Sequence, residues 1–306
     1  IAQQGFASAE PYQYEHVFEE YGKAVRFQLL HDAGFQIYSQ TIGIRPDDLE
    51  TLRPCLELIV PVIQQSIVDY DAAPDRANAM IVDAVTQFED FWVYDMDLAA
   101  FSVQTQRDLG LIGNGSDGIV GNMDTGRVQN MIDKIAASGI DISAVLSVSD
   151  IVFNEFIDTS IGFPESAPVS LAAVCPSPLV IQTDWFPEAE HGAMYQMIGD
   201  GYSVDADNKV VSGPGQLGGE PLGIDIEVRT GGPAIGWAPV SSYLYTDDSI
   251  HLGYRSTDQQ VLEYSDAPML SVVAPLDKNP QMIMWDADAH PDVNSLADLG
   301  EQGITI

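Results

Sequence analysis

The chain has 306 residues, 45% of them hydrophobic, enough to bury one large core or two ordinary ones, and its length favours two lobes. Against 12 Lys and Arg stand 46 Asp and Glu, a formal net charge of -34 that repels nucleic-acid phosphates and anionic membranes and so excludes nucleic acid as a partner. This acidity reads as a solvated surface that keeps an exposed protein in solution, with a cation-binding surface as the sharper alternative.

No run reaches the roughly 18 to 20 consecutive apolar residues that a membrane span needs, and residues 1–20 lack the basic head and apolar core of a signal peptide. The two cysteines, Cys55 and Cys175, are too few and too far apart for a zinc cluster or a redox Cys-x-x-Cys pair. In an exported protein they would form one disulfide; otherwise they are two buried thiols.

The first part of the chain is mostly helical. "PYQYEHVFEEYG" (11–22) reads as a helix, followed by the strand-like runs "AVRFQLL" (24–30) and "FQIYSQTIGI" (35–44). Residues 45–70, 74–92 and 125–139 carry apolar stripes at spacings of three and four, with Asp or Pro near their starts. Residues 160–178 are rich in Pro, Ser and Ala without a clear period, and read as a linker.

After the linker, strand and helix alternate. "LVIQTDW" (179–185) is an apolar strand, "EHGAMYQMIGDGY" (190–202) has helical spacing, and "GIDIEVRTGGP" (223–233) alternates before Gly-Gly-Pro opens the helix "AIGWAPVSSYLY". Then come the strand "IHLGYRST", the helix "DQQVLEYSD", the apolar runs "PMLSVVAPL" and "QMIMWD", the helix "VNSLADLG" and the strand "GITI". Alternation of this kind implies parallel pairing with right-handed crossovers, hence an α/β fold.

Several motifs invite chemistry and decline it. "GNGSDG" (113–118) has the letters of a dinucleotide fingerprint but follows a helix, not a strand, and reads as a loop. The strings "DMD", "DAD" and "DADAHPD" lack the glycine and glutamate of a calcium loop and read as solvated turns. There is no G-x-S-x-G, and the histidines at 16, 31, 191, 251 and 290 form no H-x-x-x-H pair; only His191 lies where other signals converge. Lysines occur only at 23, 134, 209 and 278, which leaves few candidates for a Schiff-base enzyme.

What remains is recognition. Ligands of α/β sheets bind beyond the carboxyl ends of the strands, and here those ends read "TDWFPEAEHG", "RTGGP" and "YRSTDQ". They supply the aromatic Trp185, the carboxylates of Asp184, Glu188 and Glu190, the His191 imidazole, backbone amides at Gly232 to Ala234, and the hydroxyls of Ser256 and Thr257. Aromatic faces sandwich a planar ring, carboxylates receive amines or offset positive charge, and free amides hold an anion or carbonyl. The plainer alternative is that Trp185 and Phe186 simply plug the strand end.

With "DWFPEAEHGAMYQMIGDGY", "IDIEVRTGGPAIGWAPVSS", "IAQQGFASAEPY" and "LLHDAGFQIYSQTIGIRP" in view, the chain resembles, over almost its whole length, the periplasmic substrate-binding proteins of ABC importers. The similarity is to the group that binds nitrate, sulfonates and thiamine-pyrimidine precursors. Its block order differs: relatives run from the "DWFPEAEHG" section through "GITI" into "IAQQGFASAEPY", so this sequence looks circularly permuted and joined through residues 161–178. Surface termini make such a rearrangement tolerable. A glycine-rich strand-end loop and a helix that the family carries between "GITI" and "IAQQGF" are missing from this order.

The resemblance implies a two-lobed, type II-like α/β binding-protein fold with parallel-rich sheets flanked by helices and an interlobe hinge. Residues 1–32 and 293–306 would form the small lobe, 40–160 the helical part of the large lobe, 179–290 its α/β part, with crossings near "HPDVN" and "HDAGFQIY". It places the ligand among Asp184, Trp185, Phe186, Glu188, His191, Tyr195, Gly231, Gly232, Pro233, Trp237, Ser256 and Thr257 on one side. Ser8, Glu10, Tyr12 and Asp32 stand on the other. It implies an extracytoplasmic receptor, compatible with a lipid anchor, acting as a monomer, needing no cofactor or metal, and handing its solute to importer membrane subunits. Aromatic and acidic candidates, with only Arg229 and Arg255 nearby, favour a nitrogen heterocycle such as an aminopyrimidine; a small anion (sulfonate, taurine or nitrate) is the alternative. A pyridoxal- and iron-dependent pyrimidine synthase shares the fold, but the cysteine cluster it would need is missing here, so an enzyme is not expected.

Overall fold

The computed structural model describes residues 2–140, 146–163 and 171–304. In chain order the strands are β1 (Ala2–Phe6), β2 (Arg26–Leu29), β3 (Thr41–Ile44), β4 (Leu179–Gln182), β5 (Ser203–Asp205), β6 (Val210–Leu217), β7 (Glu220–Arg229), β8 (Leu252–Arg255), β9 (Leu270–Val273) and β10 (Gln281–Trp285). The helices are α1 (Glu10–Tyr12), α2 (Leu49–Ala72), α3 (Asp75–Phe88), α4 (Met96–Asp108), α5 (Thr125–Ala137), α6 (Gly192–Gln196), α7 (Val240–Thr246), α8 (Thr257–Glu263) and α9 (Leu296–Glu301).

The larger sheet has seven strands in the order β5-β6-β7-β4-β8-β3-β9. Strands β3 and β4 and the edge strand β9 are buried at every position, as largely apolar runs covered on both faces should be. β7 instead alternates, turning Leu222, Ile224, Ile226 and Val228 inward. α2 lies against this sheet with Leu56, Ile59, Ile63 and Ile67 fully covered, and keeps its helical course through Pro54 and Pro61. Buried Gln64 fastens it to two loops, donating to the Val120 and Asp158 carbonyls and accepting from the Asp158 N–H. At the other end of α2, Tyr70 packs so closely on α6 that a Cβ on Gly192 would stand 2.2 Å from its ring, which only glycine permits.

The smaller sheet has three strands in the order β1-β10-β2, antiparallel throughout. Ile283 and Trp285 of β10 pack with Val293 and Leu299, while Met282 and Met284 pack with Leu29 and Leu111. The period of two thus gives this short sheet two separate apolar faces. Between the sheets the chain passes twice, through residues 30–40 and through residues 274–280.

The α/β class holds, with three corrections. The large sheet is mixed, not parallel-rich: β4 runs parallel to β7 and β8, but β3 is antiparallel to β8 and β9, and β5, β6 and β7 form an antiparallel meander. That meander includes residues 203–217, whose Gly213, Pro214 and Gly215 obscured the strand pattern. The second crossing is not "HPDVN" but residues 274–280, because β10 pairs in the small sheet and Val293 is buried beside it. The helices expected over 190–202 and 234–245 are cut short: the first becomes a 3-10 turn plus α6, and Gly236 and Trp237, both at positive φ, interrupt the second before α7.

Residues 164–170 of the expected linker and the end of "GITI" lie outside the described residues. From 171 onward the linker is anchored: Leu171 is buried with its N–H on the Leu222 carbonyl, and Cys175 is disulfide-bonded to Cys55 of α2.

Candidate functional site

The carboxyl ends of β4, β7 and β8 and the turn after β1 converge on a cavity of about 460 Å³, within the size range of small-molecule sites. Cavities of the same volume lie beside Arg127 and beside Pro214, so size alone does not single this one out. Its lining residues Ser39 and Gln40 carry three buried polar atoms without partners, against one on His31 and one on Gln196 at the other two.

On the large-sheet side, two loops are laced together. The Gly231 N–H donates to the Trp185 carbonyl at 3.0 Å, and the Gly232 N–H to the Asp184 carbonyl at 3.1 Å. A Cβ on Gly231 would stand 2.2 Å from the Thr183 carbonyl oxygen, so this lacing needs glycine. Gly232 sits at φ 59°, and the Trp237 N–H returns to its carbonyl at 2.9 Å, which presents the Trp237 ring beside Trp185 with centroids 5.3 Å apart. Trp237 is 62% exposed and borders the cavity. Phe186, by contrast, is fully buried: it stacks on Trp92 and meets Phe91 and Trp185 edge-on, forming the footing of this aromatic wall.

The loop after β4 then delivers three acids. Asp184 holds His191, whose Nε2 lies 2.9 Å from Oδ1, while His191 Nδ1 is buried without a partner. Glu190 receives the Ser8 hydroxyl from the turn after β1. Glu188 borders the cavity at 4% exposure. From the small sheet Glu10 also reaches the cavity, its Oε2 accepting the Phe6 N–H at 2.6 Å. Burial drives the Glu188 carboxyl well above the ordinary carboxylate range, with Glu190, Asp184 and Glu10 adding repulsion. Burial raises Glu190 and Glu10 as well, opposed in Glu190 by the Ser8 hydrogen bond and in Glu10 by the Phe6 amide. Arg255 lines the same cavity but is committed to Glu263, with Nε to Oε2 at 2.9 Å and a second contact to Oε1.

Of the residues expected from sequence, Asp184, Trp185, Glu188, Gly232, Trp237, Ser256 and Glu10 border the cavity together. Ser8, Phe186, His191 and Gly231 stand behind them and fix their positions, and Pro233 opens the short 3-10 turn that leads to Trp237. Four others are not on the wall. Tyr12 packs on Phe101 at 5.4 Å, and Asp32 pairs with Lys278 at 2.8 Å. The Thr257 hydroxyl meets the Tyr38 backbone, and Tyr195 is wholly buried behind the acids. Arg229 is bound to Glu227 and Asp247, away from the cavity wall.

The sequence did not announce Phe6, Ser39, Gln40, Gln259 and Gln281, which also line the cavity. Gln40 is 1% exposed, and neither its amide nitrogen nor its oxygen has a partner; the buried Ser39 hydroxyl has none either. Two polar residues directly before a fully buried strand were the available signal, because such residues must be satisfied by something.

Among the described residues no group of His, Cys, Asp and Glu is arranged to hold a metal ion, and no helix is long and apolar enough to cross a membrane. No protein-family model, no curated protein and no solved structure matches the chain.

Proposed function

We propose that the chain is an extracytoplasmic solute-binding receptor of an ABC importer, which captures a small heterocyclic amine in the cleft between its two sheets. The observation that carries this reading is the cavity itself: Trp185 and Trp237 offer aromatic rings while Glu10, Asp184 and Glu188 offer acceptors, from two sheets joined, among the described residues, at residues 30–40 and 274–280. Two connections between separate sheets suit hinge closure on a ligand. The Cys55–Cys175 disulfide suits an oxidising compartment outside the cytoplasm. On this reading the fold is a two-lobed binding protein with its blocks in permuted order, and the importer's membrane subunits receive the solute.

An anion would meet several carboxyls and a guanidinium already paired with Glu263, so the heterocycle is the better occupant. A panel of aminopyrimidines, aminopyridines, sulfonates and nitrate, followed by thermal shift and calorimetry, tests the reading. A heterocycle should raise the melting temperature by mass action, and Trp185→Ala should abolish that rise. Unchanged affinity in Trp185→Ala would move the site elsewhere, and no shift with any compound would sink the receptor.

A further inference from the structure

Glu188 stands apart from the acids around it. Glu190 accepts from the Ser8 hydroxyl and Glu10 from the Phe6 N–H, whereas the Glu188 carboxyl accepts no hydrogen bond from any described residue, although it is nearly sealed and borders the cavity. Hydrogen bonds of that kind favour the ionised form of a carboxyl, and a carboxyl without them keeps its proton when buried. The groups facing it are Asp184 and Glu190 from its own loop, Glu10 from α1, Tyr94 from the segment before α4 and Tyr195 from α6. The Tyr195 hydroxyl is buried without a partner. Among the described residues no uncommitted cation answers these acids: His191 is held by Asp184 and Arg255 by Glu263. Phe6, Trp185 and Trp237 complete the wall with faces that attract positive charge.

We infer that the cavity selects a small organic cation, an aminium or amidinium on a planar ring, and that seating it displaces the proton of Glu188 to solvent. This ligand class rests on the receptor reading above and narrows it. The ligand arrives already charged; the Glu188 O–H bond breaks, the proton passes to bulk water, and the carboxylate that remains accepts the ligand N–H. Charge balances without any co-reactant. A neutral ring of the same shape leaves the proton in place and forfeits the charge-assisted bond.

Titration calorimetry at about pH 7 in two buffers of different ionisation enthalpy counts the protons released. The probes are 4-aminopyridine, a cation at neutral pH, and 4-aminopyrimidine, which has the same shape and is neutral there. The cation should bind at least about tenfold more tightly and release about one proton. Glu188→Gln should erase both the preference and the release; if that variant does not fold, the comparison on the native chain decides alone. Equal affinities, or a cation bound without proton release, would overturn the inference while leaving the receptor reading intact. Binding of neither probe would overturn the inference, and the receptor reading with it if no compound of the wider panel gives a shift.

Discussion

The Ser8 hydroxyl donates to the Glu190 carboxylate across 182 positions of the chain, fastening the turn after the small sheet's first strand to the loop that carries the cavity's acids. Ser102 supports it from α4, donating to the Ser8 carbonyl at 2.7 Å. Removing the hydroxyl leaves a buried carboxylate with one donor fewer, and such a loss costs roughly 1–3 kcal/mol. Ser8→Ala should therefore lower the free energy of unfolding by that amount, moving the denaturant midpoint down with an unchanged m-value, since the Ser102 bond reaches only backbone and survives. An unaltered midpoint would show that Glu190 finds another donor.

The acids also set how stability varies with pH. Glu10, Glu188 and Glu190 are all raised by burial above the ordinary glutamate value of 4.5, so the folded chain holds protons that the unfolded chain has released. Stability from these groups is intact below that value and falls as pH rises from it through their raised values, by roughly 1.4 kcal/mol per pH unit for each proton held. Asp150, Asp158 and Asp247 work the other way, since side-chain and backbone hydrogen bonds lower them and their contribution is lost in acid. The ligand-free protein should be most stable in mildly acidic solution, and Glu188→Gln should flatten the decline toward neutral pH. Thermal unfolding across a pH series checks this; a wild-type profile that rises steadily toward neutrality would count against a protonated cluster.

Much of this was legible in the residues, for physical reasons that differ by element. α2, α3 and α5 carry long apolar stripes, and β4 and β7 carry pure or alternating runs, so period alone located them. β6 contains Gly213, Pro214 and Gly215, and its pairing with β7 shifts register between Pro214 and Gln216, which hid a strand that only tertiary pairing maintains. In the cavity, Trp185 and Glu188 were visible because they sit at a strand end. Gln40 was not: the run "FQIYSQTIGI" that contains it reads as a strand, whereas the strand begins only at Thr41, and its place on the wall follows from how the two sheets are joined.

Gln40 supplies the next expectation. An amide sealed at 1% exposure with both polar atoms unpartnered weakens the ligand-free fold, and methionine fills nearly the same volume without the polar atoms. Gln40→Met should raise stability in the absence of ligand by about 1 kcal/mol while weakening whatever heterocycle the native chain binds. Chemical denaturation and calorimetry on the same preparation measure the two halves. A variant that is less stable than the native chain would mean that Gln40 is satisfied internally and serves the fold alone.

The disulfide is the fold's one covalent tie between its two halves in sequence among the described residues, joining α2 to the segment before β4 over a separation of 120 residues. Closing so long a loop restricts the unfolded chain, by roughly 4–5 kcal/mol in the chain-entropy account. Cys175 is only half-buried and its neighbourhood is otherwise pinned by the Leu171 N–H on the Leu222 carbonyl, so breaking the bond should loosen residues 171–178 before it disturbs the sheet. The double variant Cys55→Ser, Cys175→Ser should accordingly lose several kcal/mol in equilibrium unfolding yet retain ligand binding when folded, because neither cysteine borders the cavity. Hydrogen exchange should show the protection of Leu171, Val174 and Cys175 falling first, and equal loss across β4 and β7 would instead place the disulfide at the centre of the fold's cooperativity.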